Sequence, residues 1–248
     1  MFRSDSILQK NSESPISSNF NILSRHLKDE FIYHSSGIEG NSLTLEQTSQ
    51  ILNCRKVNLQ DVELEDVVET RNHGKAFNEL LDSFIEKEID LETIQTLHSL
   101  LMSTLLPNQN NQNVGLFRRH NVAVGTEKTL FADAHEVKGL MDRFVRYINS
   151  DMFVKSHPAA QACLIHYNFV EIHPFVDGNG RLVRLLMNLV LLKHKIPLTI
   201  ITKEERSHYF HVIKQHFETS TTQKSQFRSP LCDYIAEKVN IALKRVAR

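Results

Sequence analysis

The chain has 248 residues, 41% hydrophobic and 23% charged, with Lys+Arg and Asp+Glu balanced at 29 each. That length suits one substantial core, and the charge balance excludes the broad basic field of a nucleic-acid binder or of a protein drawn to anionic membranes. No apolar run approaches the roughly 20 residues needed to span a bilayer.

In chain order, Met1 to Ser18 lacks the apolar stretch of a signal peptide, and residues 1–20, rich in Ser and Asn, are expected to form a disordered lead-in. Residues 21–90 read as an N-terminal helical region, 91–225 as the main core and 226–248 as a terminal helix. A helix over roughly Leu27 to Glu39 would end at Gly40, a normal residue just past a helix C-terminus. Glu39 then sits at the negative end of the helix dipole, where a carboxylate is disfavoured by about 0.3–1 kcal/mol. Either it is exposed and tolerated, or a cation elsewhere in the fold matches it.

Further along, Leu91, Ile94, Leu97, Leu101 and Leu105 recur at helical spacing, as do Val137, Leu140, Met141, Phe144 and Tyr147. Between these helices Asn121 to Ala132 reads as a short hairpin, the one good strand candidate. Apolar helices over roughly 158–172 and 181–194 follow. Leu182, Leu185, Leu186, Leu189, Val190 and Leu192 nearly encircle the second, which puts it at the centre of the core. His166 and Tyr167, on the helix before it, read as packing residues. A last helix starts near Ser229-Pro230. The fold class is all-α with one short β-hairpin flap. Three widely spaced cysteines (Cys54, Cys163, Cys232), with no CxxC pair, are expected to be reduced thiols of a cytoplasmic protein.

The segment from His173 to Arg184 carries the chemistry. Gly178-Asn179-Gly180 at a helix start can turn several N–H groups toward one point, an anion site. Arg181 and Arg184, three residues apart, project from neighbouring positions on the helix and suit a polyphosphate tail. Asp177 would be repelled by bare phosphate unless a divalent cation, best Mg²⁺, bridges them. His173 precedes a proline, which stops the previous helix and biases the residue to an extended backbone. It is then placed as a general base.

These residues match, position for position, the Fic-family motif His-Pro-Phe-x-Asp/Glu-Gly-Asn-Gly-Arg-x-x-Arg. The resemblance implies a Fic-type helical bundle that transfers AMP from ATP to a Ser, Thr or Tyr hydroxyl of a target protein. It implies that His173 is the base, that Asp177 holds Mg²⁺, and that Gly178, Asn179 and Gly180 form the phosphate nest. Arg181 and Arg184 would take the β and γ phosphates, and Phe175 would point into the core. Val124 and Gly125 match residues that line the nucleotide in relatives, and Tyr209 is the candidate neighbour of adenine. Phe217 stands where relatives often place a base-reading asparagine, which leaves another nucleotide-derived group open.

Ser35-Ser36-Gly37-Ile38-Glu39-Gly40 resembles the Ser/Thr-x-x-x-Glu-Gly/Asn inhibitory motif of one Fic class. By that resemblance Ser35 and Glu39 belong to an inhibitory helix, with Glu39 on Arg184 in place of the γ-phosphate. The stretch Gly37 to Leu45 is also similar to the animal endoplasmic-reticulum Fic enzyme that modifies an Hsp70 chaperone. A chaperone target follows by analogy alone, and removal of AMP by the same glutamate stands beside transfer. Dimerisation, common in relatives, has no apolar stripe here to mark it. A scaffold without catalysis is the remaining alternative, against which the intact motif counts.

Overall fold

The computed structural model describes residues 26–55, 62–103, 114–122, 131–220 and 229–246. Its helices are α1 (Lys28–Glu39), α2 (Leu45–Leu52), α3 (Leu64–Glu79), α4 (Leu91–Met102), α5 (Val137–Ile148), α6 (Asp151–Val154), α7 (Pro158–Ile172), α8 (Asn179–Lys193), α9 (Arg206–Ser220) and α10 (Pro230–Val246). A π-helical turn, Leu80–Phe84, continues α3, and a 3₁₀ turn, Lys203–Glu205, precedes α9. Among the described residues there is no strand. The lead-in, residues 123–130 of the expected hairpin, Leu105, Val124 and Gly125 lie outside the described residues.

Local chemistry explains the helix boundaries. Thr44 and Gln47 close a reciprocal box at the start of α2, each side chain bonding the other's backbone N–H, at 3.2 and 2.8 Å. Asp90 accepts the Thr93 N–H at 2.7 Å to open α4. Ser229 accepts the Cys232 N–H at 3.2 Å ahead of Pro230, as the Ser-Pro pair predicts for α10. Gly40, at φ 114°, ends α1 in the left-handed conformation.

The apolar stripes all turn inward. Helix α8 is the axis: every residue from Arg181 to Leu192 is buried. It pairs most extensively with α7, and it also meets α1 and α4. The stripes pack as their spacing predicts, since Ile94, Leu97 and Leu101 of α4 and Met141 and Phe144 of α5 join the same core as Leu182, Leu185 and Leu189. A second cluster, around Tyr209, Met187, Leu191 and Ile235, joins α9 and α10 to the far side of α7 and α8.

One expectation is overturned. Cys163 and Cys232 form a disulfide between α7 and α10, whose packing brings their Cα atoms to 5.2 Å across 69 residues of sequence. Such a pairing depends on helix packing and is invisible in spacing alone. Only Cys54, exposed, remains free, so the cysteines no longer argue for a reducing compartment. Denatured without reductant, the protein is expected to titrate one thiol per chain, rising to three after reduction; three before reduction would contradict the pairing. No helix among the described residues is long and apolar enough to cross a membrane.

Candidate active site

Helix α7 ends at Ile172, and the turn into α8 begins with His173 at φ 48°, ψ 62°. The proline does stop the helix, but His173 is left-handed rather than extended. This conformation lets its N–H close on the Phe169 carbonyl at 2.9 Å, the bond of a helix cap usually made by glycine. For a residue with a Cβ it costs roughly 1–2 kcal/mol. Compensation comes from both sides: the His173 carbonyl accepts the Arg118 Nε–H at 2.7 Å, and its imidazole stacks on Phe131 with centroids 3.9 Å apart. Burial, helped by the Arg118 cation and opposed by Asp177 and Glu39, pulls the imidazole pKa down to about 4. His173 is therefore neutral near pH 7 and able to accept a proton.

The rest of the loop is fastened from within. Phe175 is fully buried, its ring stacked on His98 at 3.7 Å and 7°. The Asn179 side chain spans the turn, accepting the Phe175 N–H at 3.0 Å and donating to the Phe175 carbonyl at 2.8 Å. His98 Nδ1 accepts the Gly115 N–H at 2.9 Å, so its proton is on Nε2, which donates to the Asp177 carbonyl at 3.0 Å. Burial lowers the His98 pKa to about 4 and keeps that tautomer neutral. Replacing Asn179 by Ala strips two buried backbone groups of their partner and is expected to cost about 1–3 kcal/mol. A urea melt beside the parent protein measures this, and an unchanged midpoint would mean that the loop is held without it.

At the start of α8 the Gly178 N–H donates to Asp177 Oδ1 at 2.6 Å. The helical ladder begins only with Leu182 N–H to the Gly178 carbonyl at 3.0 Å, so the amides of Asn179, Gly180 and Arg181 precede it at the positive end of the helix. Gly178 has φ 78°, and a Cβ there would come within 2.7 Å of Met102 Sδ. At Gly180 a Cβ would strike the Glu39 carboxylate, because that carboxylate lies directly over the first turn of α8.

Both arginines turn inward, each to its own carboxylate. Arg184, 2% exposed, donates from Nε to Ser35 Oγ at 2.9 Å and from Nη2 to the Ser35 carbonyl at 2.8 Å and to Glu39 Oε1 at 2.6 Å. Burial alone would lower its pKa; the Glu39 carboxylate and the Tyr209 side chain together outweigh burial and hold it above the ordinary arginine value. The cation expected for Glu39 is thus Arg184. Arg181, 6% exposed, meets Glu69 of α3 at 3.2 Å and Asp177 at 3.7 Å, while its Nε has no hydrogen-bond partner among the described residues. Burial raises the Glu69 pKa against the pull of Arg181. The Asp177 side chain itself is 73% exposed.

Tyr209 lies in the core, 1% exposed, with Arg184 over its ring at 5.9 Å and its hydroxyl 2.5 Å from His166 Nε2. His166 packs in the core as expected and also bonds Tyr209, whose ring lies beneath Arg184. Phe217 lies on α9, partly buried. Sequence reading missed Glu69, His98 and the role of Arg118. Arg118 and Arg119 are adjacent and alike in sequence, and the burial of Arg118 beside exposed Arg119 is what separates the two.

Residues 88–191 match the Fic/DOC family. "Protein adenylyltransferase Fic" of Drosophila erecta is 39% identical over 186 residues, 75% of this chain and 36% of that protein. The Drosophila melanogaster protein of the same name is 38% identical over the same length. The chain thus spans about a third of the length of the curated relatives it matches. Fic-1 from C. elegans superposes with a TM-score of 0.79 at 25% identity, covering 97% of this chain and 68% of that one. A Fic-domain signalling protein from Bacteroides thetaiotaomicron shares the fold, with a TM-score of 0.79 at 24% identity over 96% and 95% of the two chains. The match over residues 88–191, together with a common fold over nearly all of the chain, means that this chain carries a Fic/DOC domain.

Proposed function

We propose that this chain transfers AMP from ATP to a Ser, Thr or Tyr hydroxyl of a target protein, and that Glu39 restrains it. The observation that carries this reading is one juxtaposition: a neutral His173 on the same short loop as exposed Asp177, a row of helix-start amides and two buried guanidiniums. Cations and amides gathered this way suit a polyphosphate, and the name of the Drosophila relatives supports AMP as the group moved. His173 takes the proton of the target hydroxyl, whose oxygen bonds to the α-phosphorus. The bond from that phosphorus to the bridging oxygen of the β-phosphate breaks in line, and pyrophosphate leaves. Arg181, Arg184 and the amides of Asn179 and Gly180 steady the charge on the leaving group. Asp177 would hold Mg²⁺, for which an exposed hard carboxylate beside the nest is suited, and the ion when bound would neutralise phosphate charge. In this reading residues 121–132 meet the target segment.

Glu39 supplies the restraint. Its carboxylate covers Gly180 and bonds Arg184, which is the room and the charge a γ-phosphate would need. A second reading, removal of AMP from a modified target, is favoured by the same feature, because a carboxylate over the nest can hold a water by its proton. Release of AMP from a pre-modified protein by the wild type, lost in Glu39→Gly, would support it.

Incubating Glu39→Gly with ATP labelled at the α or the γ position tests the main reading. Label from the α position alone is expected. Label from γ would mean kinase-like chemistry, and none from either with nucleotide still bound would mean a scaffold.

A further inference from the structure

We propose that Arg118 is a positioning residue that ties His120 and Ala132, which flank residues 123–130, to the backbone of His173, so that the base is held in register with the residues on either side of that segment. The inference rests on His173 being the base.

Among the described residues, every hydrogen bond of the Arg118 side chain goes to a backbone carbonyl. Nε donates to His173 at 2.7 Å and Nη1 to His120 at 3.2 Å. Nη2 donates to Ile172 at 3.3 Å and to Ala132. Its own N–H adds a fifth bond, to the Pro174 carbonyl at 2.9 Å. Arg118 is 3% exposed, yet no carboxylate among the described residues bonds it; Asp133 acts on it only through space.

The acceptors fall into two groups. Ile172 and His173 carry carbonyls at the C-terminus of α7, which lack helical donors and sit at its negative end. His120 and Ala132 stand at the two ends of the segment that the sequence reads as the flap. One planar cation thus gathers the last turn of α7 and both ends of that segment. Phe131, beside Ala132, completes the junction by stacking on His173. The left-handed backbone of His173 needs such a restraint, because a residue with a Cβ that precedes a proline is biased away from φ 48°. A lysine in this place keeps the charge, but its compact head cannot spread donors over four carbonyls in one plane.

The charges acting on the imidazole are Arg118, which opposes protonation, and Asp177 and Glu39, which favour it, all on top of burial. Charge and geometry can therefore be separated by two variants.

In the Glu39→Gly background, Arg118→Lys is expected to lower kcat for AMP transfer roughly 10–100-fold, the penalty of aiming the base about 1 Å off. KM for ATP should change less than kcat, since Arg118 touches none of the residues assigned to phosphate. The acid limb of kcat/KM should stay in place for Arg118→Lys and move to higher pH for Arg118→Met, because removing the cation lets His173 protonate more readily. Hydrogen exchange in Arg118→Lys should quicken together in peptides spanning 119–134 and 171–176, and not in α8. An unchanged kcat in both variants would overturn the proposal. So would loss of nucleotide binding or of cooperative melting in Arg118→Lys, since the residue would then hold the fold rather than aim the base. Absence of α-label transfer in the Glu39→Gly parent itself would instead fail the AMP-transfer reading, before Arg118 is tested.

Discussion

Glu39→Gly is expected to raise self-labelling from α-labelled ATP by on the order of tenfold or more over the wild type, in line with the roughly 5–150-fold range of couplings between sites. The substitution acts on a pair at 2.6 Å between a fully buried guanidinium and a carboxylate about a third exposed. Its loss has two effects on an incoming triphosphate. The space above Gly180 opens, and Arg184 loses the carboxylate bonded to it while keeping both bonds to Ser35. Glu39 is the last residue of α1, just before Gly40, so it can leave without unpicking the core behind it. Glu69 differs: it lies within α3, next to fully buried Thr70 and near His73, and holds Arg181 from the interior. Glutamine at position 39 keeps the length of the side chain without the charge and should give an intermediate rise. Equal low labelling by wild type and Glu39→Gly would argue against restraint by this residue.

His173→Ala, made in the Glu39→Gly protein, is expected to lower transfer by about 10²–10⁴-fold, the usual contribution of a placed general base. Nucleotide affinity should change by less than about threefold, because the amides and guanidiniums remain. The free-enzyme pH profile carries a further sign. His173 works as a base only when neutral, and burial holds its pKa at about 4. The acid limb of kcat/KM should therefore lie near pH 4 rather than near the ordinary histidine value of 6.5. Removing Glu39 withdraws a charge that favours protonation, which keeps the limb low. A limb near 6.5 would mean that His173 is far more hydrated than its packing against Phe131 implies.

The chemistry of the site is legible in sequence because it is contiguous. His173, Asp177, the glycines and both arginines occupy one run of twelve residues, and local rules about helix starts and anions interpret them together. Glu39 is legible for a different reason. A carboxylate at a helix C-terminus is unfavourable, which asks for a cation, and the structure supplies Arg184 from 145 residues away. The expected helices from Leu91, Val137 and Pro158 hold because their apolar patterning is strong, and the one from Ser229 because a cap residue and a proline open it.

What sequence does not reveal is who holds the loop. His98 reaches the Asp177 carbonyl across 79 residues and Arg118 the His173 carbonyl across 55, and neither has a local signature. Helices α2 and α3 are read only as a helical region, so Glu69 on α3 has no predicted place. The disulfide fails for the same reason: Cys163 and Cys232 meet through the packing of α10 on α7. His173 is misread locally, since the rule for residues before proline favours extended backbone, whereas tertiary contacts from Arg118 and Phe131 hold it left-handed.

Intact mass after incubation with ATP and Mg²⁺, measured for Glu39→Gly beside Glu39→Gly/His173→Ala, bears most directly on the role assigned to this loop. A gain equal to one AMP residue in the first protein and none in the second is expected. A gain equal to a phosphoryl group, or an AMP gain that persists without His173, would contradict it.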